Sequence, residues 1–151
     1  LANMYPALEQ GLGPHSIRVG ALPLDRNHAI EMAGDLLVAS GRVTPEYVEE
    51  MVAAVEEHGP YIVIAPGIAL AHGRPSPAVI ETGLSIVTLA WPVVFGNEAN
   101  DPVRLVIGLA AFDHHSHIAL MRELAEALSD QEFVNLMLNA VQPEDIREAL
   151  G

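Results

Sequence analysis

Apolar residues recur at intervals of three and four along several stretches of the chain, which is the spacing that places them on one face of a helix. The first such stretch carries Ile30, Ala33 and Leu37, with Asp25 as its predicted N-cap. The predicted helices run over Arg26–Ser40, from Thr44-Pro45 to about His58, from the residues after Ser116 to Leu128, from a capping box at Ser129-Asp130-Gln131-Glu132, and over Pro143–Leu150. The side chains predicted to face inward on the third helix are Ile118, Met121, Leu124, Ala125 and Leu128.

Runs of β-branched or alternating apolar residues separate these helices and predict strands. The predicted strands are Ile17–Ala21, Tyr61–Ile64, Ile68–Ala71, Thr82–Leu89 and Val103–Phe112. Val103–Phe112 is the most apolar segment, as expected of a central strand that is covered on both faces. Strands mixed with long helices predict an α/β fold, a layered α/β/α sandwich in which helices flank both faces of a mixed central sheet.

Length and composition fit one domain with a single substantial core, because half of the 151 residues are hydrophobic and no linker-like segment divides the chain. We assign this domain to residues 4–151 and expect Leu1-Ala2-Asn3, before Met4, to be a leftover of expression. The apolar runs are too short or too broken to cross a bilayer, and the chain has no cysteine. We therefore expect a cytoplasmic protein without direct membrane insertion.

The formal net charge of −13 limits the partners of the protein. Nucleic acid and anionic lipid are themselves negatively charged, so such a surface repels both. It favours a protein partner with a basic face, although an acidic surface also serves solubility alone. The charge therefore argues against nucleic acid and anionic membranes as partners and favours a protein with a basic face.

Two histidine-bearing segments follow apolar strands and are the candidates for chemistry. His72 comes at the end of a predicted strand, directly before Gly73 and Arg74. Gly73 lets a phosphate or another backbone approach closely, and the Arg74 guanidinium suits phosphate oxygens. The other segment follows the most apolar strand and opens a helix, where ligands of α/β proteins commonly bind and where N–H groups favour an anion. It reads Asp113-His114-His115-Ser116-His117.

The pattern alone leaves two other interpretations of these histidines open. A histidine at a strand end is often a structural residue, and a histidine-rich loop is often solvated surface. The donor types of a zinc site in a metal-dependent hydrolase are also present, in His72, Asp113, His114, His115 and His117. Against a zinc site, the adjacent His114 and His115 point in divergent directions, and no two histidines have the His-x-x-x-His spacing of a helical metal site.

Several segments, taken in order and with their spacing, resemble a known family. They are Gly59–Ala69, His72–Pro75, Thr82–Ser85, Phe95-Gly96, Asn100–Val103, Leu109–Ala111 and Ser116–Ile118. Together they resemble the enzyme IIA component of the phosphoenolpyruvate-dependent sugar phosphotransferase system, in its mannitol/fructose superfamily. Within that superfamily the chain is most similar to the ascorbate-type members. The similarity extends from about Ile17 to Leu150, nearly the whole chain.

The resemblance implies a phosphotransferase component that carries a phosphoryl group on a histidine. His72 matches the histidine that takes the phosphoryl group, and His117 matches a second histidine beside it. Arg74 matches an arginine often found just after the active histidine in ascorbate-type sequences. Ala71 stands where the family commonly has proline, which removes local rigidity but no reacting atom.

The partners implied by the resemblance are proteins. HPr would donate the phosphoryl group, a IIB component would accept it for coupled sugar uptake, and a membrane IIC transporter would be served indirectly. No cofactor and no metal are implied, since donor and acceptor are protein histidines or cysteines, and a homodimer stays open. The sequence does not separate this carrier from a regulatory IIA-like domain, which accepts a phosphoryl group to signal rather than to transport.

Overall fold

Five strands form one sheet in the computed structural model, which describes residues 4–151. They are β1 (Ile17–Ala21), β2 (Val63–Ala65), β3 (Ile68–His72), β4 (Gly83–Val93) and β5 (Val103–Ala110). Their order across the sheet is β1-β4-β5-β3-β2. The pairs β1–β4 and β3–β5 are parallel, whereas β4–β5 and β2–β3 are antiparallel, so the sheet is mixed as predicted. Residues 1–3, predicted to be a leftover of expression, lie outside the described residues.

Helices cover both faces of this sheet, which confirms the predicted layered α/β/α arrangement. They are α1 (Pro6–Gly11), α2 (Arg26–Ala39), α3 (Pro45–His58), α4 (His114–Leu128), α5 (Gln131–Leu138) and α6 (Pro143–Leu150). Buried side chains of α2 and α3 form the core on one face, and those of α1, α4, α5 and α6 form the core on the other. None of the helices between residues 4 and 151 has the length and apolar character needed to span a membrane.

The central strand β5 contributes to both halves of the core. Val106 belongs to the cluster under α2 and α3, whereas Leu105 and Ile107 belong to the opposite cluster, and all three are buried. Because neighbouring side chains of a strand alternate between its faces, a strand covered on both sides is apolar almost throughout. Each of these burials stabilises the fold by roughly 2 kcal/mol. The predicted central strand is therefore correct, although β5 ends at Ala110 and not at Phe112.

The predicted strand Tyr61–Ile64 is wrong in its first half. Pro60–Ile62 forms a single 3-10 turn, and β2 begins only at Val63. Gly59 enters the turn with φ of 84°, a conformation that favours glycine, and the proline after it fixes the next φ. The turn leaves Tyr61 exposed at the protein surface instead of buried in the sheet.

The predicted capping box at Ser129 is also wrong. The N-cap of α5 is Asp130, whose carboxylate accepts hydrogen bonds from the N–H groups of Glu132 and Phe133. Ser129 instead follows the end of α4, where its hydroxyl donates to the carbonyl oxygen of Glu126. A carboxylate is available one residue later, so the serine is free to close the preceding helix.

The buried face of α4 is rotated from the one predicted. Leu120, Leu124 and Ala127 are its buried residues, whereas Ile118 and Ala125 are exposed. The α4 side chains pack against α1 as well as the sheet, and the sequence did not predict α1. The buried face of α4 is therefore set by its contacts with both α1 and the sheet.

The arrangement of β3 and β5 brings the two histidine segments together. These strands are parallel neighbours, with His72 paired with Leu109, so their carboxyl ends meet at the same edge of the sheet. His72 ends β3, and the chain that leaves β5 enters α4 at His114. The candidate site therefore lies at this edge, as expected for an open α/β sheet.

Candidate phosphoacceptor site

A cleft of about 850 Å³ opens where β3 and β5 end. Its walls are one side of α3, the loop after β3, the loop after β5 and the first turn of α4. The three predicted site residues, His72, Arg74 and His117, all line it. Asp113 and His114 line it as well, so both histidine segments contribute to one cavity.

The imidazole of His72 is half-buried and has a defined hydrogen bond. Its Nδ1 lies 3.3 Å from the carbonyl oxygen of Leu70. A carbonyl oxygen only accepts, so Nδ1 is the donor in this contact, and in the neutral ring Nε2 keeps the lone pair. The ring of Tyr61 meets this imidazole edge-on, with 6.4 Å between ring centroids. The backbone therefore selects Nε2 of His72 as the nitrogen available to form a new bond.

The start of α4 is fixed by a capping box and by a threonine. The Asp113 carboxylate accepts from the Ser116 N–H at 2.8 Å and from the Ser116 hydroxyl at 2.7 Å. These bonds lower the pKa of Asp113, because they stabilise its charged carboxylate. Thr82 Oγ1 lies 2.7 Å from the same Ser116 hydroxyl and accepts from the Phe112 N–H. The backbone of His117, in the next position of α4, is thereby held relative to Thr82, just before β4, and to the loop after β5.

Arg74 extends back to the end of α3. Its Nη2 lies 3.4 Å from Nε2 of His58, and a guanidinium can only donate in such a contact. The His58 ring meets the Tyr61 ring edge-on, with 6.2 Å between centroids. Arg74, His58, Tyr61 and His72 therefore form a continuous row along one rim of the cleft. The sequence assigned no function to His58, whose position in the last turn of α3 gave no sign of this contact.

Tyr47 is a second residue that sequence reasoning missed. Its hydroxyl donates to the carbonyl oxygen of Leu109 at 2.8 Å and accepts from the Gly73 N–H at 2.9 Å. In the sequence, Tyr47 simply continues the apolar face of α3 that Met51 and Val55 belong to. The only sign of its role in the sequence is that a tyrosine stands on an apolar helix face, because a buried phenol hydroxyl needs a hydrogen-bond partner.

Glu50 anchors the loop that carries Arg74. Its Oε1 accepts from the Ser76 hydroxyl at 2.9 Å, and the same Ser76 oxygen accepts from the Ala78 N–H. The other carboxylate oxygen of Glu50 is buried without a hydrogen-bond partner among the described residues. With Tyr47, this carboxylate gives the loop after β3 two attachments to α3.

The histidines of the cleft do not assemble a metal centre. Within residues 4–151, no group of three or more His, Asp or Glu side chains has the arrangement of a metal site. His115 is exposed and is not among the residues that line the cleft. The zinc hydrolase interpretation, which needs three protein ligands around the metal, therefore lacks its ligand set in the described part of the chain.

The fold defines the class of protein. It is similar to that of the mannitol-specific cryptic phosphotransferase enzyme IIA from Escherichia coli, with a TM-score of 0.85 and 30% identity, over 95% of this chain and 97% of that one. It is also similar to the complex of mannitol enzyme IIA and phosphorylated mannitol enzyme IIB from Escherichia coli, with a TM-score of 0.80 and 30% identity, over 92% of this chain and 96% of the matched chain. The molecule has the fold of enzyme IIA phosphotransferase proteins.

Sequence similarity identifies the family. Residues 12–151 match the family described as "Phosphoenolpyruvate-dependent sugar phosphotransferase system, EIIA 2", and the chain belongs to it. The chain is 42% identical over 119 residues to the ascorbate-specific PTS system EIIA component of Shigella boydii serotype 4 (strain Sb227), which covers 78% of this chain and 77% of that relative. The predicted family is confirmed, and the protein is a phosphotransferase component of the kind that carries a phosphohistidine. The roles of His72, His117 and Arg74 remain predictions.

Proposed function

We propose that this protein accepts a phosphoryl group from HPr on Nε2 of His72 and passes it to the IIB component of an ascorbate-type uptake system. One observation carries the assignment to His72. Its Nδ1 is held by the Leu70 carbonyl oxygen, which leaves Nε2 as the free nitrogen of the ring, in a cleft that also contains His117 and Arg74. The ascorbate-specific relative at 42% identity supports the choice of system.

The proposed transfer is an exchange of one N–P bond for another. The lone pair of His72 Nε2 attacks the phosphorus atom of phosphorylated HPr, and the bond between that phosphorus and the donor imidazole breaks. The bonding electrons return to the donor nitrogen, so no water, oxidant or reductant takes part. In the second transfer, a nucleophile of IIB attacks the same phosphorus, and the electrons return to His72. Catalysis then depends on placing the attacking and leaving nitrogens in line with the phosphorus atom and on stabilising the negative charge of the phosphoryl oxygens.

Two residues are proposed to stabilise the phosphoryl oxygens. His117 lies in the first turn of α4, whose Asp113–Ser116 capping box holds it, and its imidazole would donate a hydrogen bond to an oxygen of the phosphoryl group. The Arg74 guanidinium is charged at any working pH and would offset the added negative charge. Neither residue takes the phosphoryl group in this scheme.

The proposed partners and location follow from the same function. A IIA carrier works in the cytoplasm between HPr and IIB and serves a membrane IIC transporter without contacting the sugar. The complex of mannitol enzyme IIA with phosphorylated mannitol enzyme IIB supports IIB as the class of acceptor. The net charge of −13 supports partners whose docking faces are basic, because opposite charges raise the rate of encounter. We propose that residues 4–151 act as one carrier domain.

Labelling of the native chain tests the proposed function. With phosphoenolpyruvate, enzyme I and HPr, we expect one acid-labile phosphoryl group per chain, and its loss when an ascorbate-type IIB is added. Intact mass before and after IIB addition measures both events. A chain that is labelled but discharges to no IIB of any type supports the regulatory alternative. A chain that takes no label contradicts the proposal.

Replacing His117 by alanine is expected to slow transfer without preventing it. The variant keeps the acceptor nitrogen but loses one hydrogen bond to the transferring group, and a loss of about 1.4 kcal/mol corresponds to about tenfold in rate. Rapid-quench measurement of single-turnover phosphorylation by HPr gives this rate. His115→Ala is the matched control, because it removes an exposed histidine of the same helix turn that does not line the cleft. Equal rates for the two variants would contradict the role of His117.

A further inference from the structure

We infer that Tyr47 is a positioning residue for phosphoryl transfer at His72. The inference rests on the proposed function and concerns how the phosphoacceptor is held in place. Tyr47 is in the first turn of α3 and only 2% exposed, and its hydroxyl makes hydrogen bonds to Leu109 of β5 and to Gly73, directly after β3. Its hydrogen bonds go to backbone groups and not to Nε2 of His72 or to the phosphoryl group, so its effect on transfer would pass through the backbone.

The two hydrogen bonds lie at the place where β3 and β5 separate. The last pair of the β3–β5 ladder is His72 with Leu109. Beyond this pair, the Gly73 N–H donates to the Tyr47 hydroxyl, and the hydroxyl donates its own proton to the Leu109 carbonyl oxygen. The phenol thereby extends the ladder by one step. It provides a hydrogen-bond partner for the Gly73 N–H and for the Leu109 carbonyl oxygen, which no longer bond to each other where the strands separate. This ties the backbone directly after His72 to the neighbouring strand β5.

The ring of Tyr47 also packs directly against the segment that it anchors. A Cβ on Gly73 would lie 3.1 Å from Cε1 of Tyr47 and 3.4 Å from its Cζ. The ring therefore occupies the space in which a side chain at this position would lie, so the backbone after His72 has little room to move toward α3. The position of the imidazole is then set from two directions, by the Leu70 carbonyl oxygen at Nδ1 and by the Tyr47 hydroxyl at the next residue.

Proton transfer by Tyr47 is a less suitable explanation of the contact. Burial raises the pKa of its phenol to about 12, so the hydroxyl stays protonated at any physiological pH. Both of its hydrogen bonds are to backbone groups, which do not titrate. A purely space-filling role would be served equally by phenylalanine, which would leave the Gly73 N–H and the Leu109 carbonyl oxygen without their partner. The chemistry of the hydroxyl therefore favours positioning.

Tyr47→Phe tests this role, because it removes the hydroxyl and keeps the ring. We expect the single-turnover rate of phosphorylation at saturating phosphorylated HPr to fall about tenfold, the effect of losing one well-placed hydrogen bond on the barrier. The HPr concentration at half-saturation is expected to stay within twofold, because the docking surface is unchanged. Proton-detected nitrogen NMR of the His72 ring is expected to show a weaker bond at Nδ1. A merely structural role would lower thermal stability and leave both the transfer rate and the Nδ1 signal of His72 at their native values.

Thr88→Val is the matched control for the loss of a buried hydroxyl. Thr88 on β4 is 4% exposed, and its hydroxyl accepts from the Gly20 N–H at 2.9 Å, so the substitution also removes an acceptor from a backbone N–H while keeping the shape. It lies toward the other end of the sheet, paired with Leu105. We expect this control to lose stability and to keep the native transfer rate.

The outcomes separate this inference from the proposed function. A native chain that is labelled at His72, together with a Tyr47→Phe variant that reacts at the native rate, overturns the inference alone. A native chain that takes no label overturns the proposed function. If Tyr47→Phe does not fold, Gly73→Ala tests the same contact, because its methyl group forces the Tyr47 ring and the backbone apart. A severalfold slower transfer together with a changed Nδ1 signal of His72 supports the inference, whereas the native rate, or slower transfer with an unchanged Nδ1 signal, contradicts it.

Discussion

Replacing His72 by alanine is expected to abolish phosphorylation of the chain by phosphorylated HPr. The substitution removes Nε2, the only atom in the proposed mechanism that forms a bond to phosphorus. Neither stabilising residue takes the phosphoryl group in this scheme, since His117 is proposed to donate a hydrogen bond to it and Arg74 has no lone pair available for attack. We expect less than one-hundredth of the native labelling by intact mass and by acid-labile phosphate, because the whole covalent pathway is lost.

The control for this experiment is a histidine of the same cleft. His114 lines the cleft beside the proposed site, so His114→Ala changes the cavity without removing the proposed acceptor. We expect full labelling of this variant, and comparable circular dichroism and melting temperature for both proteins. Stoichiometric labelling of His72→Ala would show that another residue takes the phosphoryl group. If labelling is then lost in His117→Ala, the roles of the two histidines are reversed.

The second large effect is expected in the choice of acceptor. We expect phosphorylated protein to discharge about a hundredfold faster to an ascorbate-type IIB than to a mannitol-type IIB. A IIA carrier does not contact the sugar, so this preference has to come from complementarity of the docking surfaces. Two mismatched contacts of about 1.4 kcal/mol each account for a factor of this size. The rim around His72 offers such contacts through exposed groups, among them Tyr61 and Phe112.

A panel of purified IIB domains measures this preference. Each domain is mixed with phosphorylated protein, and the loss of label is followed by rapid quench at several IIB concentrations. Each IIB domain is also tested with a IIA protein of its own system, which controls for inactive acceptors. Equal rates across the panel, or a preference for the mannitol-type acceptor, would show that the ascorbate assignment is wrong. Either result leaves the assignment of His72 intact, because the first transfer is measured separately.

Most of the fold was predictable because its signals are local. Asp25 caps α2 as predicted, its side chain accepting from the His28 N–H, and Pro45 opens α3. The apolar run of β5 indicated a strand covered on both faces, and the structure places it at the centre of the sheet. In each case the residues that decide the structure lie within a few positions of one another.

The elements that were missed depend on distant partners. Helix α1 has only six residues, and the N–H groups of Ala7 and Leu8 are capped by Glu123 of α4, more than a hundred positions away. Its buried Leu8 packs in a core made mostly by the other end of the chain. A helix this short is not stable by itself, so its own sequence carries little sign of it. The same limit explains the inward face of α4, which is set partly by α1.

The sequence by itself determined which residues of this protein could do chemistry and in what kind of fold. His72, Arg74 and His117 were identified from residue type, from their positions after apolar strands and from family resemblance. Only the tertiary structure decided how these residues are held. The hydroxyl of Tyr47 bridges Gly73 and Leu109, and Arg74 contacts His58, because the pairing of β3 with β5 and the packing of α3 bring together groups far apart in the chain. Such contacts are set by geometry across the sheet, which no local pattern of residues encodes.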